Sequence, residues 1–313
     1  MDINNGNLLL ENGTSLKMCR SGNTGCNVVN QAGGKVTFYS DAGMTVGGGG
    51  NLDLNYAGSS PSSSTYNLKA GTLTVPQIIA SSGAGSSTFN FNGGTLKPTA
   101  NSTAFMQGLT AANVRNGGAV IDTTGFKVTI GQPLLHSAIA GDSATDGGLT
   151  KNCIGTLTLS GTNYYTGNTT INAGILELAQ SVPTLATNST ISIAGGAVLQ
   201  LDQSAVTNRV AGLLTNGVVA GKGLYRSANS SGFITGPGYL QVLTGPNGPG
   251  IIAHSIRGNT LTLTWPAGQG WRLQMETNLA SPGWVYLTDG STSSTNITVD
   301  PTLPGEYFRL VFS

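Results

Sequence analysis

Residues able to do acid–base, nucleophilic or metal chemistry are sparse in this chain, and their spacing does not favour any of the three. Acid–base catalysis calls for paired carboxylates or a tuned histidine, yet only 13 Asp and Glu residues are scattered over 313 positions. Asp142 and Asp146 stand in Gly-Asp-Ser-Ala-Thr-Asp-Gly-Gly, a loop composition compatible with Ca²⁺ but lacking the further oxygen ligands of a full cage, and it reads better as a solvated turn. His136 and His254 have no metal-ligand spacing around them and read as surface or packing residues. Gly47 to Gly50 lacks the Lys-Ser/Thr that a phosphate cradle needs and reads as a corner turn. No catalytic, cofactor-binding or metal site is expected, and no cofactor.

The three cysteines are Cys19, Cys26 and Cys153. Cys19 and Cys26 flank a Ser-Gly-Asn-Thr-Gly turn, so in an oxidising compartment they could close a small disulfide loop, and otherwise they are two free thiols. Cys153 is then left over, read as a small buried hydrophobe or as a contact between chains.

The elements that would position any such residue are set by a recurring unit. Gly71-Thr-Leu-Thr-Val75, Gly155-Thr-Leu-Thr-Leu159, Gly174-Ile-Leu-Glu-Leu178 and Gly196-Ala-Val-Leu-Gln-Leu201 each open a short strand on a glycine, with looser copies at Gly6, Gly34, Gly50 and Gly94. Spacings of about 20 to 24 residues are those of solenoids and stacked arrays. Glycine and Asn supply corners, and alternation such as Phe89 and Phe91 in Ser-Thr-Phe-Asn-Phe-Asn supplies one buried face per strand. A single coil buries too little to stand alone, so successive coils are expected to stack in parallel. Thr103 to Val114 is the one stretch where a short helix or loop excursion is expected.

Composition narrows the function classes. Charged residues make up 9%, the net charge is +1, and 47 residues are glycine, so Ser, Thr and Asn carry solubility. No window clusters the Lys and Arg that nucleic acid demands. No apolar run approaches the ~20 residues of a membrane-spanning helix.

Three segments follow: residues 1–243 as a solenoid of about ten to twelve coils, residues 244–250 as a Pro/Gly linker, and residues 251–313 as a small module. The last holds all three tryptophans, Trp265, Trp271 and Trp284. Strands are expected there at Ile252 to Ile256, Thr260 to Trp265, Trp271 to Thr277, Trp284 to Leu287, Asn296 to Val299 and Tyr307 to Phe312, the pattern of a small Ig-like or fibronectin-like β-sandwich. Its tryptophans read as core, or as a surface platform for sugar stacking.

The stretch Gly155 to Leu178 resembles the autotransporter-associated β-strand repeat: a Gly-x-Leu-x-Leu strand, a Gly-x-Asn-x-Tyr-x-Gly-x-Thr-x-Ile corner and a second Gly-x-Leu strand, with Tyr165, Gly167, Thr169 and Ile171 in register. The resemblance implies a right-handed parallel β-helix in an exported bacterial surface protein. Residues 251–313 resemble the small terminal module of secreted repeat proteins.

The expected fold is therefore all-β, a right-handed parallel β-helix followed by a β-sandwich. The first coil shows strand pattern at once, with Ile3 and Leu8, Leu9 and Leu10, and no polar cap before it. A head-to-tail contact that does not close gives a filament. The expected role is thus a non-catalytic subunit of an extracellular or cell-surface fibre, with identical subunits as partners and Ile3, Leu8, Leu9, Leu10, Trp265, Trp271 and Trp284 as assembly contacts. An adhesin-like stalk binding glycans or another surface is the alternative, and a polysaccharide-active enzyme the third reading.

Overall fold

Alternating apolar and polar residues build many elements of the chain, and a glycine of positive φ opens several of them, among them Asn7–Leu10, Ala119–Asp122, Leu149–Asn152, Thr156–Leu159 and Ile175–Leu178. The computed structural model describes residues 1–10, 14–18, 26–38, 50–56, 62–81, 85–245, 252–265, 271–280, 283–289 and 291–312. Among these the secondary structure is β apart from one 3₁₀ turn at Ser227–Asn229. The stretch expected to leave the sheet pattern does not: Ser102–Met106 and Ala111–Val114 are strands, because Phe105, Met106, Ala112 and Val114 are all buried in alternating or paired positions.

Most strands of the first 245 residues fall on three parallel ladders, and Thr207–Val210, Tyr239–Val242 and Gly223–Tyr225 form a separate three-stranded sheet. The first runs from Asp2–Ile3 through the first half of Cys26–Phe38 and the first half of Ser63–Val75 to Ser86–Phe91, Ala111–Val114 and Leu134–His136. The second runs from Asn7–Leu10 through the second halves of those two long strands, then Thr95–Pro98, Ala119–Asp122, Leu149–Asn152, Thr169–Ile171, Thr190–Ile193 and Gly212–Thr215. The third is a 9-stranded sheet from Leu16–Lys17 to Ile234–Thr235. The chain visits the ladders in turn, so each strand pairs with its counterparts one repeat before and one repeat after.

In-register parallel pairing puts like on like. In the second ladder Leu73, Leu96, Ile121, Lys151, Ile171 and Ile193 occupy one continuous inward row, and every member is 0% or 1% exposed. In the first ladder Tyr66 and Phe89 stack with centroids 5.5 Å apart, and Phe89 meets Phe91 edge-on at 4.7 Å. The outward row there is a chain of amides. Asn113 Nδ2 donates to Asn90, Asn90 to Asn67, Asn67 to Asn30, and Asn30 to the Asp2 carboxylate, over 2.7 to 2.9 Å.

The corners explain the glycines. Gly71 has φ +74° and Gly148 +70°, and a Cβ on either would run into the backbone of the adjacent repeat, at Gly33 and Gly34 for the first and at Asn168 for the second. Stacking brings the corners too close for a side chain.

The two ends differ. Asp2–Ile3, Asn7–Leu10 and Leu16–Lys17 each pair on one side only among the described residues. At the other end Gly212–Thr215 is followed by the antiparallel strand Val218–Val219, and Tyr239–Val242 carries the antiparallel strand Gly223–Tyr225. Parallel pairing thus ends in an antiparallel strand on the second ladder and on the short sheet that follows it.

Residues 252–312 hold two three-stranded antiparallel sheets: Ala253–Arg257, Thr260–Thr264 and Ser294–Thr298 in one, and Val285–Tyr286, Trp271–Glu276 and Tyr307–Phe312 in the other. Leu263, Trp265, Trp271 and Leu273 form their own buried cluster, with Leu261, Ile297, Phe308 and Leu310 packed on it. The stretch expected to be a linker lies mostly outside the described residues.

Candidate functional site

Two groups of polar side chains stand out against so uncharged a chain. The first lies where the excursion between Leu134–His136 and Leu149–Asn152 folds back over the next repeat. Asp146 is buried there, and its two oxygens accept hydrogen bonds from the backbone N–H groups of Gly148 (2.9 Å), Thr166 (2.7 Å) and Gly167 (2.9 Å) and from the Thr166 hydroxyl (3.0 Å). His136 Nδ1 sits 3.0 Å from Asp146 Oδ2 and 3.1 Å from Thr166 Oγ1. Asp142 takes a bidentate pair from Arg115, at 2.8 and 2.9 Å, and a hydroxyl bond from Ser137 at 2.5 Å. The loop is the exposed turn expected at Gly141, Ser143, Ala144, Thr145 and Gly147, but its two carboxylates point inward and are bonded, forming a node that the sequence reading missed. His136, read as a surface or packing residue, packs against Asp146 with its side chain 30% exposed.

The electrostatics follow from those bonds. Burial by itself would raise the Asp146 carboxyl, but hydrogen bonds from Thr166, His136, Gly148 and Gly167 outweigh it and hold it below the ordinary value. The Arg115 hydrogen bond, opposed in part by burial, holds Asp142 low as well. A carboxylate stabilised this way stays ionised and is a poor proton carrier near neutral pH. Asp–His–hydroxyl contacts resemble parts of a nucleophilic triad, yet Ser137 points its hydroxyl at Asp142, and Thr166 is tied to Asp146 through both its N–H and its side chain. The node fastens one repeat to the next.

The second group lies on the outer face of the third ladder, along a groove of about 800 Å³. Thr129, Thr158, Glu177 and Gln200 follow one another in register across four strands. Thr158 Oγ1 donates to Glu177 at 2.8 Å, and Gln200 donates to Asp202 at 2.8 Å. The hydrogen bond to Asp202, with burial second, raises the Glu177 carboxyl above its ordinary value. A like-charged neighbour makes ionisation costly, so the Glu177 contribution is unfavourable once pH has risen through 4.5 and past the folded value. Asp202→Asn is accordingly expected to raise the urea midpoint at pH 7 and to leave it unchanged near pH 4, where Glu177 is largely protonated. Unfolding curves of the pair of proteins at the two pH values check this.

Lys151 was missed by sequence reasoning. It fills an aliphatic position with its side chain fully buried, and its ammonium donates to the carbonyls of Asn152 (3.1 Å), Cys153 (2.7 Å) and Ala173 (3.0 Å). Burial pushes it down to about 8, against the opposing pull of Cys153 and Asp122. The signal was present: Leu149-Thr-Lys-Asn alternates, and the phase that buries Leu149 buries Lys151. Cys153 is exposed, at φ +63°, which corrects its reading as a buried hydrophobe. The proposed Cys19–Cys26 disulfide lies outside the described residues, since Cys19 is among those left out.

Of the residues singled out for assembly, Ile3 is buried in the main core, Leu8 and Leu10 pack against it, and Leu9 is exposed. Trp265 and Trp271 are buried in the core of the C-terminal sheets, as Ile3 is in the main core. Trp284 is partly exposed, with the Arg309 guanidinium 4.0 Å from its ring centre. His254 lies exposed on Ala253–Arg257. Among the described residues no three His, Cys, Asp or Glu side chains come together as a metal site would require.

Comparison with known proteins gives one match. Residues 149–178 fit the family model of the passenger-associated transport repeat. Those residues are strands Leu149–Asn152, Thr156–Leu159, Thr169–Ile171 and Ile175–Leu178 with their corners, and the geometry accounts for the pattern. Tyr165 is buried with its hydroxyl 2.8 Å from Thr169 Oγ1, Ile171 is buried in the aliphatic row, and at Gly167 a Cβ would meet the backbone of Asp146 and Gly148. No curated protein and no solved structure matches the chain.

Proposed function

We propose that the chain is a non-catalytic stalk from an exported, surface-exposed or secreted passenger, in which the three ladders wind as a right-handed parallel β-helix and residues 251–313 form a terminal β-sandwich. The observation that carries the reading is where the charged and amide groups go. Asp146, Asp142, Lys151 and the asparagine chain are spent on fastening one repeat to the next, a use that builds length rather than reactivity. The passenger-associated repeat at 149–178 supports export to the surface.

Head-to-tail fibre formation is the second reading, favoured by Asp2–Ile3, Asn7–Leu10 and Leu16–Lys17, which pair on one side only among the described residues. The antiparallel strands Val218–Val219 and Gly223–Tyr225 stand against simple continuation of the ladders at the other end. Negative-stain electron microscopy of the purified chain at neutral pH, over a wide concentration range, separates the readings. Single short rods support the stalk, filaments support the fibre, and round particles without a long axis overturn both.

A further inference from the structure

The second C-terminal sheet turns two arginines and three aromatic rings to the outside. Along Trp271–Glu276 the inward residues are Trp271 and Leu273, so Arg272 and Gln274 face the other way. On the neighbouring Tyr307–Phe312, Phe308 and Leu310 pack on the core and leave Tyr307 and Arg309 outward. Gln274 stands opposite both Arg309 and Tyr286. Arg272 is therefore the diagonal neighbour of Arg309, with Cα atoms about 7–8 Å apart.

Both guanidiniums lie against rings: Arg309 is 4.0 Å from the centre of Trp284 and Arg272 is 5.3 Å from that of Tyr286. Among the described residues each hydrogen-bonds through its Nε–H, Arg309 to Gln274 Oε1 and Arg272 to the Asp289 carbonyl. Neither makes a salt bridge among the described residues. Glu276 is engaged by the N–H groups of Thr277, Asn278 and Gly283, and Asp289 accepts from Ser291 while also attracting Arg272, whereas Glu306, three residues before Arg309, makes no salt bridge among the described residues. Two like charges on adjacent strands repel each other, and the Asp289 carboxylate offsets part of the charge of Arg272 alone. A stacked guanidinium still presents its in-plane N–H edge, the geometry that takes a carboxylate or sulfate by two hydrogen bonds. Tyr286 and Tyr307 are 49% and 41% exposed, offering ring surface beside those edges. A cavity of about 610 Å³ opens next to Arg272 and Tyr286 and is lined further by Thr288, Ser294, Thr295 and one carboxylate, Asp289.

We propose that this face binds an acidic polysaccharide, its carboxylates or sulfates taken by Arg272 and Arg309 and its sugar rings lying against Tyr286, Tyr307 and Trp284. The proposal adds a ligand-bearing surface to the stalk and holds whether or not the ladders polymerise.

Retention of the full chain in affinity gels containing polygalacturonate or dextran, at about 50 mM and about 200 mM salt, tests it. Retention by polygalacturonate but not dextran, weakened by salt, is expected. The double variant Arg272→Ala/Arg309→Ala should lose about tenfold or more in affinity, and Arg309→Lys should recover only part of it because the planar fork is gone. Arg257→Ala, on the other sheet, should bind like the unmodified chain. Equal urea midpoints establish that the variants are folded; should the double variant be destabilised, Arg309→Gln takes its place with the same expected loss. The proposal is overturned by absence of retention at low salt, by equal retention on dextran, or by a double variant that binds normally. It is also overturned if Arg257→Ala weakens binding as much, or if inorganic phosphate at matched charge displaces the polymer, which would mark a small-oxyanion site only.

Discussion

Asp146→Ala is expected to lower the unfolding free energy by about 3–5 kcal/mol at pH 7, one of the two largest losses expected from any single substitution in the chain. The carboxylate receives three backbone N–H groups, the Thr166 hydroxyl and His136, and alanine would leave the buried N–H groups of Gly148 and Gly167 without their acceptor and the part-buried Thr166 and His136 without theirs. Two of those N–H groups belong to the repeat that follows, so the loss falls on the junction between repeats as well as on the loop. Asp146→Asn keeps an acceptor for Gly148 and Gly167 but sets an NH₂ group against the donors of Thr166, and an intermediate loss is expected. The pH dependence has a definite sign. The folded carboxyl titrates below its ordinary 3.8, so its contribution is complete above that value and fades as pH falls through the folded one. Urea midpoints of the two proteins should accordingly converge in acid and separate toward neutrality.

Phe89→Ala is expected to cost a comparable amount, about 3–5 kcal/mol. Phe89 is fully buried, stacked on Tyr66 from the repeat before and touched edge-on by Phe91. Removing the ring opens a cavity and loosens Tyr66, whose hydroxyl donates to Gln31 Oε1 at 2.7 Å while Gln31 in turn donates to the Thr72 carbonyl. Because register holds Tyr66 and Phe89 side by side on adjacent strands, the ring cannot be replaced by a neighbour sliding along the ladder. Phe89→Leu should cost less, since volume is largely kept. Thr88→Ala, on the outward side of the same strand, should move stability by no more than about 0.5 kcal/mol. Urea unfolding with unchanged slope checks all three.

What could be read from the sequence was whatever recurs locally. Gly155 to Leu159 and Gly174 to Leu178 alternate cleanly, and they pair residue for residue in the third ladder. Alternation also located each of the six strands of residues 252–312 to within a few positions. The misses are places where the deciding partner is remote. Nothing near Asp146 announces that the N–H groups of Thr166 and Gly167 will close on it, because the length of the excursion, not its composition, brings them together. Glu177 and Asp202 look like two scattered acids until stacking sets one repeat on the next. Phe105 and Leu109 suggested a helical period over Thr103 to Val114, yet the neighbouring repeats offer strand edges on both sides, and pairing overrides a weak local preference. One miss is local: Val218–Val219 reverses at Asn216-Gly217, both at positive φ in a two-residue hairpin turn whose Asn-Gly signal the sequence reading passed over.

The stacked register of the repeats supports every reading above, and cysteine cross-linking measures it directly. Thr129 and Thr158 face outward as register partners on adjacent strands of the third ladder, and Thr170 and Ser192 do so on the second. Partners about 4.8 Å apart lie within disulfide reach, whereas Thr129 and Glu177, two strands apart, do not. Mild oxidation of the full chain carrying Thr129→Cys with Thr158→Cys, or Thr170→Cys with Ser192→Cys, should give intramolecular disulfides identifiable by peptide mass, and Thr129→Cys with Glu177→Cys should give none. Failure of both matched pairs to close, or equal closure of the mismatched pair, would contradict the stacked ladders and the stalk built on them.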